Sequence, residues 1–170
     1  MKRNVIVFGS ISGLIVTAMM VLSVSMCYNS PDFEPNMILG YAAMLAAFSF
    51  VYIGIKNYRD KYNGGGISFG KAFKVGILIS LIASTMYVVG WLLDYYLFVP
   101  DFMDKYTEHV LINAEREGAT AAELTAKANE MAEYKEMYKS PIMVILITDS
   151  EVLPIGLVVT LISSLILKKK

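Results

Sequence analysis

Four long apolar runs, separated by charged segments, divide the chain. They cover residues 5–27, 37–55, 75–98 and 142–167. Each run is about 19–26 residues long, which is the length that an α-helix needs to cross a hydrocarbon core about 30 Å thick. The pattern predicts an all-α fold, a four-transmembrane-helix bundle that forms a single integral membrane domain over residues 1–170.

The polar segment 101–138, between the third and fourth runs, predicts two amphipathic helices that form an extramembrane hairpin. Apolar residues recur at helical spacing in each half of this segment. Gly118 is expected to end the first helix, and Thr120 with Glu123 makes a capping box that is typical of a helix start. A solvated cap and a partner-binding surface are both open interpretations of this hairpin.

Small residues recur on one face of each apolar run. These faces consist of Gly9, Gly13 and Thr17; of Gly40, Ala43, Ala47 and Gly54; of Gly76, Ser80, Ala83, Tyr87, Gly90 and Asp94; and of Gly156, Thr160 and Ser164. Small side chains at this spacing let neighbouring helices approach closely. The faces therefore predict helix–helix contacts, and the third face predicts that Asp94 points into the bundle and away from lipid.

Lysine and arginine are distributed unevenly between the two sides of the predicted membrane. One side carries Lys2, Arg3, Lys56, Arg59, Lys61, Lys71, Lys74 and Lys168–Lys170. The remaining basic residues all lie between the third and fourth runs, in the segment 100–140. Because cytoplasmic segments carry the excess of Lys and Arg, both termini are predicted to be cytoplasmic and the hairpin to lie outside.

The composition offers little reactive chemistry. The 15 basic and 15 acidic residues balance, so no excess of positive charge indicates nucleic-acid binding. Cys27 and His109 are the only residues of their types, which excludes an internal disulfide and a zinc site built from them. Gly65, Gly70 and Lys71 partly match a phosphate-binding loop, but the required Ser or Thr and the preceding strand are absent from the pattern. We expect no catalytic, cofactor-binding or metal-binding residues, and no enzymatic activity.

One polar group stands near the predicted outer ends of the third and fourth runs. It comprises Asp94, Thr148, Asp149, Glu151 and Pro154. Proline favours a kink, and the carbonyls that it frees, together with carboxylates, suit cations as ligands. The alternative is that Asp149 and Glu151 lie in the first turn of the last helix, where the helix dipole stabilises a carboxylate by about 0.3–1 kcal/mol.

Several segments resemble a family of small bacterial membrane proteins known as domain of unknown function 4199. They are Gly65–Lys74, Val99–Phe102, Glu117–Leu124 and Glu151–Leu157, the last followed by the apolar run into Lys168–Lys170. The resemblance covers nearly the whole chain. It implies a multi-pass protein of the bacterial cytoplasmic (inner) membrane, and it implies no activity and no set of functional residues.

Two functions are compatible with these features. The first is a non-enzymatic envelope, assembly or interaction factor, whose hairpin 101–138 meets a membrane or periplasmic protein partner. The second is a small ion- or proton-coupled transporter that uses the acids at the outer ends of spans three and four. Such transporters usually have more spans or internal repeats, so a chain of this size would need to form a homo-oligomer. In both cases the lipid bilayer is the expected environment.

Overall fold

The computed structural model describes residues 1–30, 33 and 37–169, so that Lys170 of the charge pattern lies outside the described residues. The described chain contains the helices α1 (Lys2–Tyr28), α2 (Met37–Tyr62), α3 (Phe69–Leu97), α4 (Phe102–Arg116), α5 (Ala121–Met137) and α6 (Pro141–Leu167). By length and composition, α1, α2, α3 and α6 are able to cross a membrane. The predicted all-α fold with four membrane-length helices is confirmed.

The long helices extend beyond the apolar runs from which they were predicted. α2 continues past residue 55 to Tyr62, and α3 begins at Phe69 instead of residue 75. The hydroxyl of Ser68 caps α3 by accepting the backbone N–H of Lys71 at 3.4 Å. Long basic side chains place their charge in water while their stems follow the helix. Apolar content alone therefore underestimates how far these helices run.

The connection between α2 and α3 turns at two glycines with left-handed backbone conformations. Gly64 has φ +67° and Gly65 has φ +84°, a region that glycine enters without steric cost. The Gly65 N–H donates to the Arg59 carbonyl at 3.0 Å, which ends α2. Ile67 and Lys169 then exchange two backbone hydrogen bonds of 2.8 and 2.9 Å. The glycines thus end α2, and Ile67, which follows them, pairs with the backbone of Lys169.

The four long helices form a bundle in which α3 contacts each of the others. α1 and α6 both pack against α3, α2 packs against α1 and α6, and α2 also contacts α3 across the bundle. Large apolar side chains face outward, including Leu14, Leu22, Ile38, Leu45, Leu93 and Ile166. Such a surface suits helices surrounded by lipid.

Close approaches at small residues join α1 to α3. A Cβ added to Gly9 would stand 2.8 Å from the Ile82 Cβ, and one added to Gly13 would stand 2.6 Å from the Met86 sulfur. The predicted face of α1 is therefore confirmed as a packing face. The face predicted for α2 packs at Ala43, Ala47 and Gly54, whereas no described atom lies within 4 Å of a Cβ added to Gly40.

The small-residue face of α3 serves two neighbouring helices. In the first half of α3, the Ser80 hydroxyl lies 3.0 Å from the Thr160 hydroxyl and donates to the Gly156 carbonyl at 3.2 Å, both on α6. Near the other end, Gly90 lies against Thr17 of α1. The small-residue face of α3 points between α1 and α6. Ser80 therefore contacts α6, and Gly90 contacts α1.

α4 and α5 connect α3 to α6 and pack against each other. Gly118, with φ +84°, follows the end of α4, and Thr120 and Glu123 form the capping box of α5. Ala114 of α4 and Met131 of α5 are buried. The predicted break at Gly118 and the predicted capping box are confirmed.

Candidate functional site

A cavity of about 430 Å³ lies where α4 and α5 meet the ends of α1, α3 and α6. We call it the α4–α5 cavity. Its walls include the aromatic side chains of Tyr87, Trp91, Phe102, Tyr106, Tyr134 and Tyr138. Three methionines, Met20, Met103 and Met131, and the polar residues Glu130, Thr148 and Glu151 also line it. The lining combines a mainly apolar surface with two carboxylates.

Aromatic contacts hold α4 and the α5–α6 connection against the bundle. The indole of Trp91 meets the Phe102 ring edge to face, with ring centroids 5.2 Å apart. Phe102 in turn stacks on Tyr106 at 6.1 Å, and the rings of Tyr95 and Tyr138 lie 5.3 Å apart. Such pairs contribute about 0.5–1.5 kcal/mol each beyond their buried area. These contacts fix the walls of the cavity.

α6 supplies polar groups to the cavity. Thr148 and Glu151 are three residues apart, so they lie on one helix face, and both line the cavity. Thr148 is buried, whereas Glu151 is exposed. Within the described part of the chain, no hydrogen bond or ion pair joins the Glu151 carboxylate to another residue.

Two tyrosines outside the long helices lie near these negative charges. Burial, and then the charges of Glu151 and Glu130, raise the pKa of Tyr106. Burial and the Glu151 charge also raise the pKa of Tyr138. A nearby negative charge disfavours the ionised phenol. The direction of both shifts agrees with a position of the two phenols close to these carboxylates.

Asp149 lies at the interface between α6 and α3. Its Oδ1 accepts a hydrogen bond of 3.2 Å from the buried Ser84 hydroxyl. Asp149 is partly buried and is not part of the cavity wall. Its carboxylate therefore joins two helices, while Glu151, two residues further along α6, faces the cavity.

Asp94 is buried, with 7% of its surface exposed, as the sequence predicts. It lines a separate cleft of about 480 Å³ together with Val21, Ser25 and Tyr28 of α1. Its Oδ2 has no hydrogen-bond partner among the described residues. The three acids of the predicted polar group consequently lie in three different environments, and only Glu151 shares the cavity with Thr148.

The position at which α6 begins excludes the interpretation that Asp149 and Glu151 lie in its first turn. α6 begins at Pro141, so Asp149 and Glu151 are the ninth and eleventh residues of the helix. At about 1.5 Å per residue, they lie about 12–15 Å beyond the helix start. The dipole stabilises charges within the first turn only, so the helix-start alternative is wrong. α6 continues through Pro154 to Leu167.

Sequence reasoning missed the aromatic lining of the cavity. The apolar spacing in the segment 101–138 includes Tyr106 and Tyr134, but it predicts helix faces and not a shared cavity. Their convergence depends on how α4 and α5 fold back on α3, which no local pattern encodes. Among the described residues, no group of three His, Cys, Asp or Glu side chains is placed to hold a metal ion.

Four helices of membrane-crossing length with an apolar outer surface are typical of polytopic α-helical membrane proteins. Within this class, residues 7–169 match the family described as "Protein of unknown function (DUF4199)". The chain belongs to this family, and the resemblance seen in its sequence is confirmed. No curated protein and no solved structure matches the chain.

Proposed function

We propose that the protein is a non-enzymatic membrane protein that binds a partner at the end of the bundle where α4 and α5 lie. The observation that supports this function is the α4–α5 cavity, with its volume of about 430 Å³. Binding sites for small molecules typically have volumes of about 300–1,000 Å³ and mainly apolar walls. An envelope or assembly factor would engage a membrane or periplasmic partner at this site.

In this proposal, α4 and α5 form an extramembrane hairpin on the outer side of a bacterial inner membrane, and both termini are cytoplasmic. The proposal is supported by the Lys and Arg residues at the other end of the bundle, such as Lys56, Lys61 and Lys71. It is also supported by α5, which exposes charged residues such as Lys127 and Glu133.

Cysteine labelling tests this orientation. In a Cys27→Ala background, Lys127→Cys should react with a membrane-impermeant maleimide added to spheroplasts. Lys61→Cys should react only after the membrane has been opened, because its thiol would face the cytoplasm. Both positions are exposed in the structure, so access within the protein does not separate them. Labelling of position 61 but not of position 127 in sealed spheroplasts would contradict the orientation.

Photo-crosslinking tests the binding function in native membranes. Benzoylphenylalanine in place of Tyr134, which lines the cavity, is expected to give one discrete adduct. The matched control is Met137 on the same helix, which is similarly exposed, at 38% against 39% for Tyr134, but lies outside the cavity wall. Mass spectrometry of the adduct identifies what was bound. Equal adducts from both positions, or none from position 134, would count against the proposed function.

The transporter alternative has no comparable support. It requires carboxylates such as Asp94 and Glu151 to act on one ion, and these two line separate cavities. It also requires a homo-oligomer, which the binding function does not. The proposal that the protein is not an enzyme rests on its single cysteine and single histidine, Cys27 and His109, neither of which lines the α4–α5 cavity.

A further inference from the structure

The walls of the α4–α5 cavity are suited to a positively charged ligand. Six aromatic side chains, those of Tyr87, Trp91, Phe102, Tyr106, Tyr134 and Tyr138, contribute to the lining. The face of an aromatic ring carries negative partial charge and attracts a cation within about 6 Å of its centroid. Several rings around one cavity are the usual means by which proteins recognise alkylated ammonium groups.

The charges in the cavity wall point to the same class of ligand. Glu130 and Glu151 line the cavity, and none of its described lining residues is Lys, Arg or His. In the described part of the chain, neither carboxylate has a hydrogen bond or an ion pair. Two other acids of α5 are paired, since Glu123 bonds to Thr120 and Glu136 to Lys139. The negative charge of the cavity is therefore left without a counter-charge.

The remaining lining favours an organic cation over a metal ion. Ca²⁺ takes about six to eight oxygen ligands, typically carboxylates, carbonyls and waters, whereas the described wall holds two carboxylates, the Thr148 hydroxyl and the phenols of its tyrosines. Met20, Met103 and Met131 contribute flexible apolar side chains, which adapt to alkyl groups. The raised pKa of Tyr106, caused by burial and by both carboxylates, supports the closeness of Glu130 and Glu151 to this aromatic wall.

We propose that the α4–α5 cavity binds an organic ammonium ion, whose charge lies near Glu130 and Glu151 and whose alkyl groups contact the aromatic rings. This inference rests on the proposed binding function, and it names the chemical class of the ligand. The same ammonium chemistry occurs in a lipid headgroup and in a free amine. The experiment below therefore separates these two sources.

Trp91 provides the measurement, because it is the only tryptophan of the chain and it lines the cavity. The full-length protein is placed in nanodiscs of phosphatidylglycerol, and its fluorescence is followed while choline is added. A parallel titration uses 3,3-dimethylbutan-1-ol, a neutral molecule of the same shape. Choline is expected to give a saturable change and to bind at least tenfold more tightly than the alcohol.

Glutamine variants test the part played by each carboxylate. Glu151→Gln and Glu130→Gln should each weaken choline binding at least fivefold and leave binding of the neutral alcohol unchanged. Glu133→Gln, on the same helix as Glu130 but outside the cavity wall, should have no effect. Thermal unfolding of each variant, followed by circular dichroism, shows that the change is not a loss of fold.

The lipid composition of the nanodisc identifies the source of the ammonium group. If a headgroup occupies the cavity, adding phosphatidylethanolamine to the disc will raise the apparent Kd for choline. If the natural ligand is a free amine, the apparent Kd will stay constant. Both results agree with an ammonium site. They differ in whether a lipid headgroup or a free amine occupies it.

Three results would overturn the inference. Equal affinity for choline and the neutral alcohol, or choline binding that both glutamine variants leave unchanged, would show that charge is not recognised. The absence of any fluorescence change with choline would do the same. In each of these cases, an adduct at position 134 would still support the proposed binding function. The absence of that adduct as well would contradict both the binding function and the ammonium site.

Discussion

Replacing Gly156 with leucine is expected to force α6 away from α3 and to destabilise the bundle by about 3 kcal/mol. A Cβ at this position would stand 2.9 Å from the Ser80 Cβ and 2.9 Å from Phe48 Cε1. The Ser80 Cβ is bonded directly to the α3 backbone, so no rotation of a side chain can relieve that contact. The hydrogen bond from Ser80 to the Gly156 carbonyl would lengthen as the helices separate.

Gly40→Leu is the matched control for this substitution. Gly40 also lies in a membrane-length helix, but no described atom is within 4 Å of its added Cβ. Leucine is a better helix former than glycine by up to about 1 kcal/mol, so this variant should unfold at the same or a higher temperature. Circular dichroism of both variants in detergent measures the difference. Equal losses of stability would contradict the packing described here.

The sequence placed Gly40 and Gly156 alike on small-residue faces, and only the structure separates them. Helical spacing shows which residues share a face, because that depends on the geometry of one helix alone. It does not show whether the neighbouring helix approaches that part of the face. Gly40 lies near the start of α2, where the packing face begins only with the buried Ala43 and Ala47.

In the candidate site, too, helical spacing predicts which residues are buried but not which neighbours they contact. The spacing in α3 correctly predicts that Asp94 is buried, since burial follows from its position on the helix surface. The neighbour that Asp94 meets depends on the positions of α1 and α6 around α3, which are set by long-range packing. Asp94 therefore faces Val21 and Ser25 of α1, while Glu151 of α6 lines the α4–α5 cavity.

α4 and α5 illustrate which features are local. Gly118 and the pair Thr120–Glu123 mark the helix boundaries correctly, because stops and caps involve residues a few positions apart. The position of α4 on the bundle depends instead on contacts such as Trp91 with Phe102, which only the folded chain brings together. The α4–α5 cavity exists because of those contacts, so local patterns gave no indication of it.

Phe48→Ala is expected to destabilise the protein by about 3–5 kcal/mol, the usual cost of removing a large buried aromatic side chain. Phe48 is 0% exposed and belongs to the main apolar cluster, to which α1, α2, α3 and α6 all contribute, and it contacts Gly156 there. Its loss leaves a cavity between rigid helices that cannot fully close. Phe98→Ala is the control, because this ring is 70% exposed and its removal should change stability by no more than about 0.5 kcal/mol.

The double variant Phe48→Ala, Gly156→Leu links the two predictions. Leucine at position 156 would enter the space that the Phe48 ring vacates, so one of its two close contacts disappears. The contact with Ser80 remains, and recovery should therefore be partial. We expect the double variant to lose less stability than the two single variants together, by about 0.5–3 kcal/mol. Strict additivity in thermal unfolding would mean that Phe48 and Gly156 do not contact each other, and α6 would then pack differently against α2.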